Sequence, residues 1–420
     1  MSARPSRVLT DAAQTAARNV GLVLAGQAAL SASKFAALLW LSHHMVPARF
    51  AECAIYTSSS LVVGNLCELG INISCLKFTA NARQGDWLRT VARFLALRLA
   101  LTAAVSGAVL LAAPAAAARI LHHAGYTHAL RLAAGSAAVA SLSAFSFVLL
   151  QSRLEFARMA RLSAGASILQ ILPVAAALAG GSPGLTSLFA GDVLSRLWIV
   201  LANLGLLAAA LRAGLSPEGA PAWRSIAVFA NWITLSTLIG SIYNYIPSIA
   251  LSRWGTAVGL GTYSLGMSLA GGFGLLLNTT STVLLPNAVA ADTPERRRGY
   301  LRSYLPGAVA LSVTLLALTW LSGPLAARLF PAALPDAVRV FQLLATGHIA
   351  LLVANPVQFL LYGAGHPEWC TASDGLITLL FGALAVWLAP AYGAVGVAWA
   401  LLAAQTGIKA VIVAGVVRRW

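Results

Sequence analysis

The chain has 420 residues, of which 59% are hydrophobic and only 10% are charged, and its mean hydropathy is +0.80. This composition excludes a soluble globular protein and predicts an all-α, polytopic membrane protein. The net charge of +16 would suit a protein that binds nucleic acid. However, basic and aromatic residues do not cluster as they do on a nucleic-acid face, so we expect no nucleic-acid partner.

Twelve apolar segments follow a short basic arm at residues 1–17. Each segment is long enough to form a helix across a bilayer, since ~20 residues span the hydrocarbon core. The predicted spans, numbered one to twelve in chain order, are residues 18–42, 52–77, 90–117, 130–152, 160–180, 185–211, 226–252, 258–287, 304–325, 337–362, 370–390 and 394–417.

Lysine and arginine are unevenly distributed between the two sides of the predicted spans. With the N-terminus inside, the inner segments hold eighteen of these residues and the outer segments hold six. This asymmetry predicts that both termini are cytoplasmic.

The two halves of the chain also show the same order of helical hairpins and basic loops. We therefore predict an N-terminal lobe at 18–211, a cytoplasmic linker at 212–225 and a C-terminal lobe at 226–420, related as parallel repeats.

The first predicted span carries a lysine well inside the membrane, on a polar helical face. Lys34 shares this face with Asn19, Gln27 and Ser31. One interpretation is a cavity wall in which Lys34 contacts an anion. The other is a hydrogen-bonded helix–helix seam from which Lys34 extends to the outer interface.

The second and third spans also contain charged residues at membrane depth, where charges usually face protein or a watery cavity. Glu68 lies on one face with Asn65 and Asn72, and is interpreted either as a packing carboxylate or as a proton-binding group. Arg98 lies about two turns from an inner helix end, and we expect its side chain to extend to the interface.

Asp192 and Arg196 in the sixth span have the i, i+4 spacing of an intrahelical ion pair. The pair is interpreted as structural, or alternatively as a pair that responds to substrate or protons. A second pair, between Asp374 of span eleven and Lys409 of span twelve, is predicted to be structural.

Spans seven and eight carry polar stripes and glycines that are typical of a water-facing wall, although close helix packing explains the glycines equally well. In span eight, the polar residues begin with Asn278. The polar stripe of span seven ends at Arg253, and its members are Thr234, Ser241, Tyr245, Ser248 and Ser252.

No enzymatic constellation is recognised in the sequence. A dinucleotide-binding glycine motif and a phosphate-binding Walker loop are missing, so we predict no enzyme activity, no cofactor and no direct use of ATP. The histidines and cysteines lack the spacing of a metal site.

Five short stretches, in order along the chain, resemble bacterial polysaccharide-unit flippases of the multidrug/oligosaccharidyl-lipid/polysaccharide exporter superfamily. They are residues 68–71, 150–158, 258–263, 285–286 and 392–398. The resemblance covers the whole chain but departs from the family pattern at two positions. Ala51 stands where a glycine is usual, and Asn244 lies where many relatives carry an acid in span seven, which weakens any proposal of proton coupling there.

The resemblance implies twelve transmembrane helices in two six-helix lobes around a central cavity, lined largely by spans one, two, seven and eight, with alternating access. It suggests a flippase in the bacterial inner membrane that moves a polyprenyl-diphosphate-linked oligosaccharide. Further expected partners are membrane lipid and the polymerase and chain-length proteins of polysaccharide synthesis. The candidate anion contacts are Lys34, Arg196 and Arg253; the candidate sugar or water contacts are Asn231, Tyr245 and Asn278; and the candidate coupling residues are Glu68 and Asp192.

Three other functions are weighed against this hypothesis. An ion-coupled exporter of small cationic compounds would share the fold but predicts an acidic cavity. A membrane glycosyltransferase, polymerase or ligase would need a sizeable outer loop, whereas the longest outer connection here is about a dozen residues. A non-transporting subunit of an assembly complex is the third alternative.

Overall fold

A computed structural model describes the backbone of residues 5–79, 84–214, 223–289, 291, 293–334, 336–364 and 366–419. The side chains of residues 5–20 and of scattered residues elsewhere lie outside this description. The described chain is almost entirely helical. Its α-helices, α1 to α14 in chain order, are Pro5–His44, Pro47–Glu68, Ile71–Thr79, Gln84–Arg119, Thr127–Ser152, Phe156–Ala179, Leu185–Ala202, Leu204–Ala213, Trp223–Trp254, Ala257–Val289, Pro294–Leu321, Gly323–Leu329, Ala337–Gly363 and Pro367–Arg419.

The predicted all-α, polytopic class is confirmed, and every predicted span coincides with a helix or with consecutive helices. Span two is divided between α2 and α3, span six between α7 and α8, and α14 carries the last two spans. In the described part of the chain, nine helices are individually long and apolar enough to cross a membrane. The α2–α3 pair, bent by 41°, provides a tenth. The chain is therefore a multi-pass membrane protein, while the count of twelve crossings stays a prediction.

The helix breaks follow from local backbone chemistry. Pro47 occupies the first turn of α2, where its missing N–H costs nothing. Leu69 (φ 38°) and Gly70 (φ 75°) then adopt left-handed conformations that end α2 and turn the chain into α3. A third break, inside α14, lies at Gly393 with φ 52° and ψ −133°. Glycine suits this position because positive φ strains other residues.

The two halves of the chain meet along α1 and α2 on one side and α9 and α10 on the other. Side-chain hydrogen bonds link α2 to α9: Ser248 Oγ donates to Ser58 Oγ at 2.7 Å, and the Ser59 and Tyr245 hydroxyls lie 3.3 Å apart. Below, "N-terminal half" means α1–α8 and "C-terminal half" means α9–α14. The division into lobes stays a prediction, because residues 215–222 of the linker lie outside the described ranges and α1 already begins within the predicted arm.

The exterior of the molecule is apolar, as a surface in contact with lipid tails requires. Leu111, Leu321 and Trp387 are 74–86% exposed, which would be a liability on a water-soluble protein. The helices differ in how much of this surface they form. In its most apolar window, α13 has 67% of its residues buried, whereas α11 has only 11%. Hence α13 is an inner helix and α11 an outer one.

Close packing between α6 and α7 gives a first testable prediction. Gly191 of α7 lies against the backbone carbonyl of Gln170 in α6, and a Cβ at this position would collide with that oxygen. We expect Gly191→Ala to destabilise the protein by about 1–3 kcal/mol, the usual cost of overpacking. Gly205→Ala is the matched control, because a Cβ on Gly205 meets no atom within 4 Å. Thermal unfolding in detergent measures both, and equal midpoints would contradict the prediction.

Candidate functional site

A cavity of about 350 Å³ lies between the two halves. Helices α1, α2, α9 and α10 line it, which are the four helices expected from the resemblance, and α4, α5, α7 and α14 complete its walls. On α2 alone, lining residues extend from Ala54 to Glu68. At 1.5 Å per residue this is about 21 Å of helix, so the cavity follows most of one span.

In the described part of the chain, the charges that line this cavity are predominantly positive and belong to the N-terminal half. Its charged lining residues are Lys34 of α1, Glu68 of α2, Arg98 of α4 and Arg196 of α7. Among the residues that the structure describes, the C-terminal half contributes only neutral groups to the lining. Its polar lining residues are Tyr243, Asn244, Ser248, Tyr263, Ser264 and Ser268. One wall can therefore hold an anion, while the facing wall offers uncharged hydrogen-bonding groups.

Lys34 forms an ion pair with Asp192 of α7. The Lys34 Nζ atom lies 3.3 Å from Asp192 Oδ2, and the Tyr56 hydroxyl donates to the same oxygen at 2.8 Å. The carboxylate is fully buried, whereas the lysine side chain is 27% exposed. Lys34 therefore forms a helix–helix hydrogen bond, as the second interpretation predicts, and it also lines the cavity, as the first predicts. The predicted extension of Lys34 to the outer interface is wrong.

The predicted intrahelical pair between Asp192 and Arg196 is not formed. Arg196 influences the buried carboxylate electrostatically, but in the described structure it makes no ion pair with it. Tertiary packing explains the difference, because α1 and α2 bring Lys34 and Tyr56 directly to Asp192. Arg196 is left facing the cavity, where it strengthens the positive potential beside Lys34.

The expectation that Arg98 extends to the membrane interface is also wrong. Its side chain is 1% exposed, and it is the largest fully buried side chain in the described chain. Nη2 donates to the backbone carbonyl of Ser141 at 3.0 Å. Arg98 also borders the cavity, on the same side as Glu68, with which it interacts electrostatically.

Of the remaining predicted residues, the three whose side chains are described do not line the cavity. Arg253 is exposed at the end of α9, with its guanidinium 5.0 Å from the centre of the Trp254 ring. Asn231 is exposed and does not line the cavity. Tyr245 hydrogen-bonds with Ser59 between the two halves. The side chain of Asn278 lies outside the described residues.

The geometry bears on two other predicted features. Lys409 Nζ lies 3.0 Å from Asp374 Oδ1 and 3.1 Å from Gln358 Oε1, which confirms the ion pair between the last two spans. Glu68 lines the cavity, and its role as a packing carboxylate or a proton-binding group stays a prediction. Among the residues that the structure describes, no cluster of three or more histidines, cysteines or carboxylates could hold a metal ion.

Comparisons with solved structures identify the fold. An inward-facing multidrug resistance MATE family transporter of the MOP superfamily is similar with a TM-score of 0.74 at 14% identity, over 92% of this chain and 93% of that one. The lipid II flippase MurJ in an inward closed conformation has a TM-score of 0.74 at 11% identity, over 94% and 87%. A mutant of the Vibrio cholerae MATE transporter VcmN has a TM-score of 0.63 at 12% identity, over 98% and 97%.

Sequence comparison identifies the family. No curated protein matches the sequence significantly. Residues 88–305, just over half of the chain, match the family described as "Polysaccharide biosynthesis protein". The chain therefore belongs to the polysaccharide biosynthesis protein family, and it has the fold of the exporter superfamily that its sequence resembles.

Proposed function

We propose that this protein is a flippase that moves a lipid-diphosphate-linked oligosaccharide from the inner to the outer leaflet for surface polysaccharide synthesis. The observation that carries the proposal is the cavity between the two halves, in which three cations face a single free acid. Membership of a polysaccharide biosynthesis family supports a glycan cargo. The similarity in fold to MurJ and MATE transporters supports transport by alternating access.

The physical need for such a protein is clear. A sugar-diphosphate head group cannot cross hydrocarbon, because its charges and hydroxyl groups would have no partners there. A positively charged cavity can hold the diphosphate while the lipid tail stays in the bilayer. Lys34 and Arg196 lie close together on one wall and are the proposed diphosphate contacts. The neutral polar groups of α9 and α10 are the proposed sugar contacts.

The cavity also argues against export of small cationic compounds. Such cargo would need exposed acids, but Asp192 is fully buried and already paired with Lys34. Glu68 is the acid that remains, and it shares its end of the cavity with Arg98. A non-transporting assembly subunit does not by itself require a charged cavity between its halves. Interaction with polymerase and chain-length proteins is compatible with the flippase proposal.

The decisive experiment is to locate the lipid-linked oligosaccharide in cells depleted of this protein. Impermeant periodate or lectin labelling of spheroplasts reports the outer-leaflet fraction, and lysis of the same sample reports the total. We expect intact units to accumulate on the cytoplasmic leaflet, and re-expression of the wild-type chain to restore outward labelling. Units that reach the outer leaflet at the normal rate, but remain unpolymerised, would refute the flippase proposal in favour of an assembly role.

A further inference from the structure

The cavity contains two separate charge centres rather than one. The first consists of Lys34, Asp192 and Arg196, and is attached to α2 through Tyr56. The second consists of Arg98 and Glu68. Tyr56 and Glu68 lie twelve residues apart on the continuous helix α2. This spacing corresponds to about 18 Å along the helix axis.

Arg98, at the second centre, is incompletely hydrogen-bonded. Its Nη2 atom donates to Ser141, but Nε and Nη1 are buried without a hydrogen-bond partner. No carboxylate among the described residues forms an ion pair with it. A guanidinium carries five N–H donors in a planar fork that matches the oxygens of a carboxylate or phosphate. Leaving such donors unsatisfied in a buried position is costly.

The surroundings of Arg98 fix its orientation. The Ser141 carbonyl of α5 accepts one N–H group, and the Ser141 hydroxyl is itself held by Thr102 Oγ1 at 2.7 Å. Both Arg98 and Ser141 border the cavity. The guanidinium is therefore held beside the cavity with Nε and Nη1 buried and without an acceptor. A small rearrangement of its surroundings would bring these donors to an oxyanion in the cavity.

We propose that Arg98 is a second oxyanion-binding site of the cargo, separate from the Lys34–Arg196 site. This inference rests on the proposed flippase function and specifies its cargo further. The two phosphates of a diphosphate share one bridging oxygen, whereas Tyr56 and Glu68, the α2 residues beside the two sites, are about 18 Å apart along the helix axis. Each site would then contact its own oxyanion. The second oxyanion is either an acidic group on the glycan or the same diphosphate at another stage of its passage. Both sources present a carboxylate or phosphate to Arg98.

Binding measurements with two cargos distinguish these sources. The full-length protein in nanodiscs is titrated with two polyprenyl-diphosphate tetrasaccharides, one made of neutral hexoses and one in which a single hexose is replaced by glucuronate. The variants are Arg98→Gln, which removes the charge, and Arg98→Lys, which keeps the charge but loses the fork. Arg158→Gln is the control, because Arg158 bonds to Glu155 and the Ala202 carbonyl and does not line the cavity.

If the glycan supplies the oxyanion, R98Q binds the glucuronate cargo at least about tenfold more weakly than the wild type does. It binds the neutral cargo like the wild type, and this normal binding also shows that the variant is folded. If the diphosphate supplies it, R98Q weakens both cargos and R98K recovers part of the loss. Unchanged binding of both cargos by R98Q would overturn the inference. If R98Q cannot be purified, R98K decides, and its wild-type affinity for both cargos would likewise overturn it. Failure of the wild type to bind either cargo would instead refute the proposed function.

Discussion

Replacing Lys34 by alanine is expected to abolish transport. The substitution removes a cation from the cavity and leaves the fully buried Asp192 carboxylate with Tyr56 as its hydrogen-bond donor. Removing one partner of a buried ion pair is strongly destabilising. Because the Lys34 side chain is 27% exposed, we expect a loss of up to about 3 kcal/mol in the free energy of unfolding. Surface polysaccharide and outward labelling of the lipid-linked unit measure the loss of transport.

A double variant separates the loss of anion binding from the loss of stability. Lys34→Met with Asp192→Asn removes both charges of the pair, and the asparagine oxygen can still accept the Tyr56 hydrogen bond. We expect this protein to insert and unfold like the wild type but to remain inactive, because the cavity still lacks its lysine. Transport at the wild-type rate in the double variant would mean that Lys34 serves only to neutralise Asp192.

The second large effect is expected at Arg196. Arg196→Gln removes a cavity cation that makes no ion pair in the described structure, so the protein should remain stable while transport falls by at least about tenfold. Arg253→Gln is the matched control, since Arg253 lies on the same side of the predicted membrane as Lys34 but is exposed beside Trp254. We expect near-normal transport by this variant.

The same flipping assay, with both variants at equal membrane abundance, tests this contrast. Equal loss of transport in R196Q and R253Q would indicate that Arg253 enters the path in another conformation. Equal retention would remove Arg196 from the mechanism and leave Lys34 as the cation of the first charge centre.

The sequence predicts the helices well because their determinants are local. Apolar segments of membrane length coincide with helices, and the positions of Pro47, Gly70 and Gly393 mark places where helices begin or break. The resemblance adds which helices surround the cavity. Both kinds of information are independent of how each helix is rotated about its own axis.

The charged side chains were harder to place because their partners belong to other helices. The spacing of Asp192 and Arg196 permits a pair within α7, but the rotation of α7 against α1 and α2 decides that Lys34 and Tyr56 are the partners. Similarly, the distance of Arg98 from its helix end does not reveal that α5 covers it. Arg253 lies on the polar stripe of α9, but beyond the end of the cavity.

The bend between α2 and α3 links the two halves in a further way. Where α2 ends, the backbone carbonyl of Leu69 accepts a hydrogen bond from Thr234 Oγ1 of α9, at 3.0 Å. A helix end in one half is thus capped by a side chain from the other. If the halves separate at this point, the cap is lost and the carbonyl needs another donor, which water or a neighbouring polar side chain can supply. Opening of the cavity at this end is therefore tied to the replacement of one hydrogen bond from a single hydroxyl group.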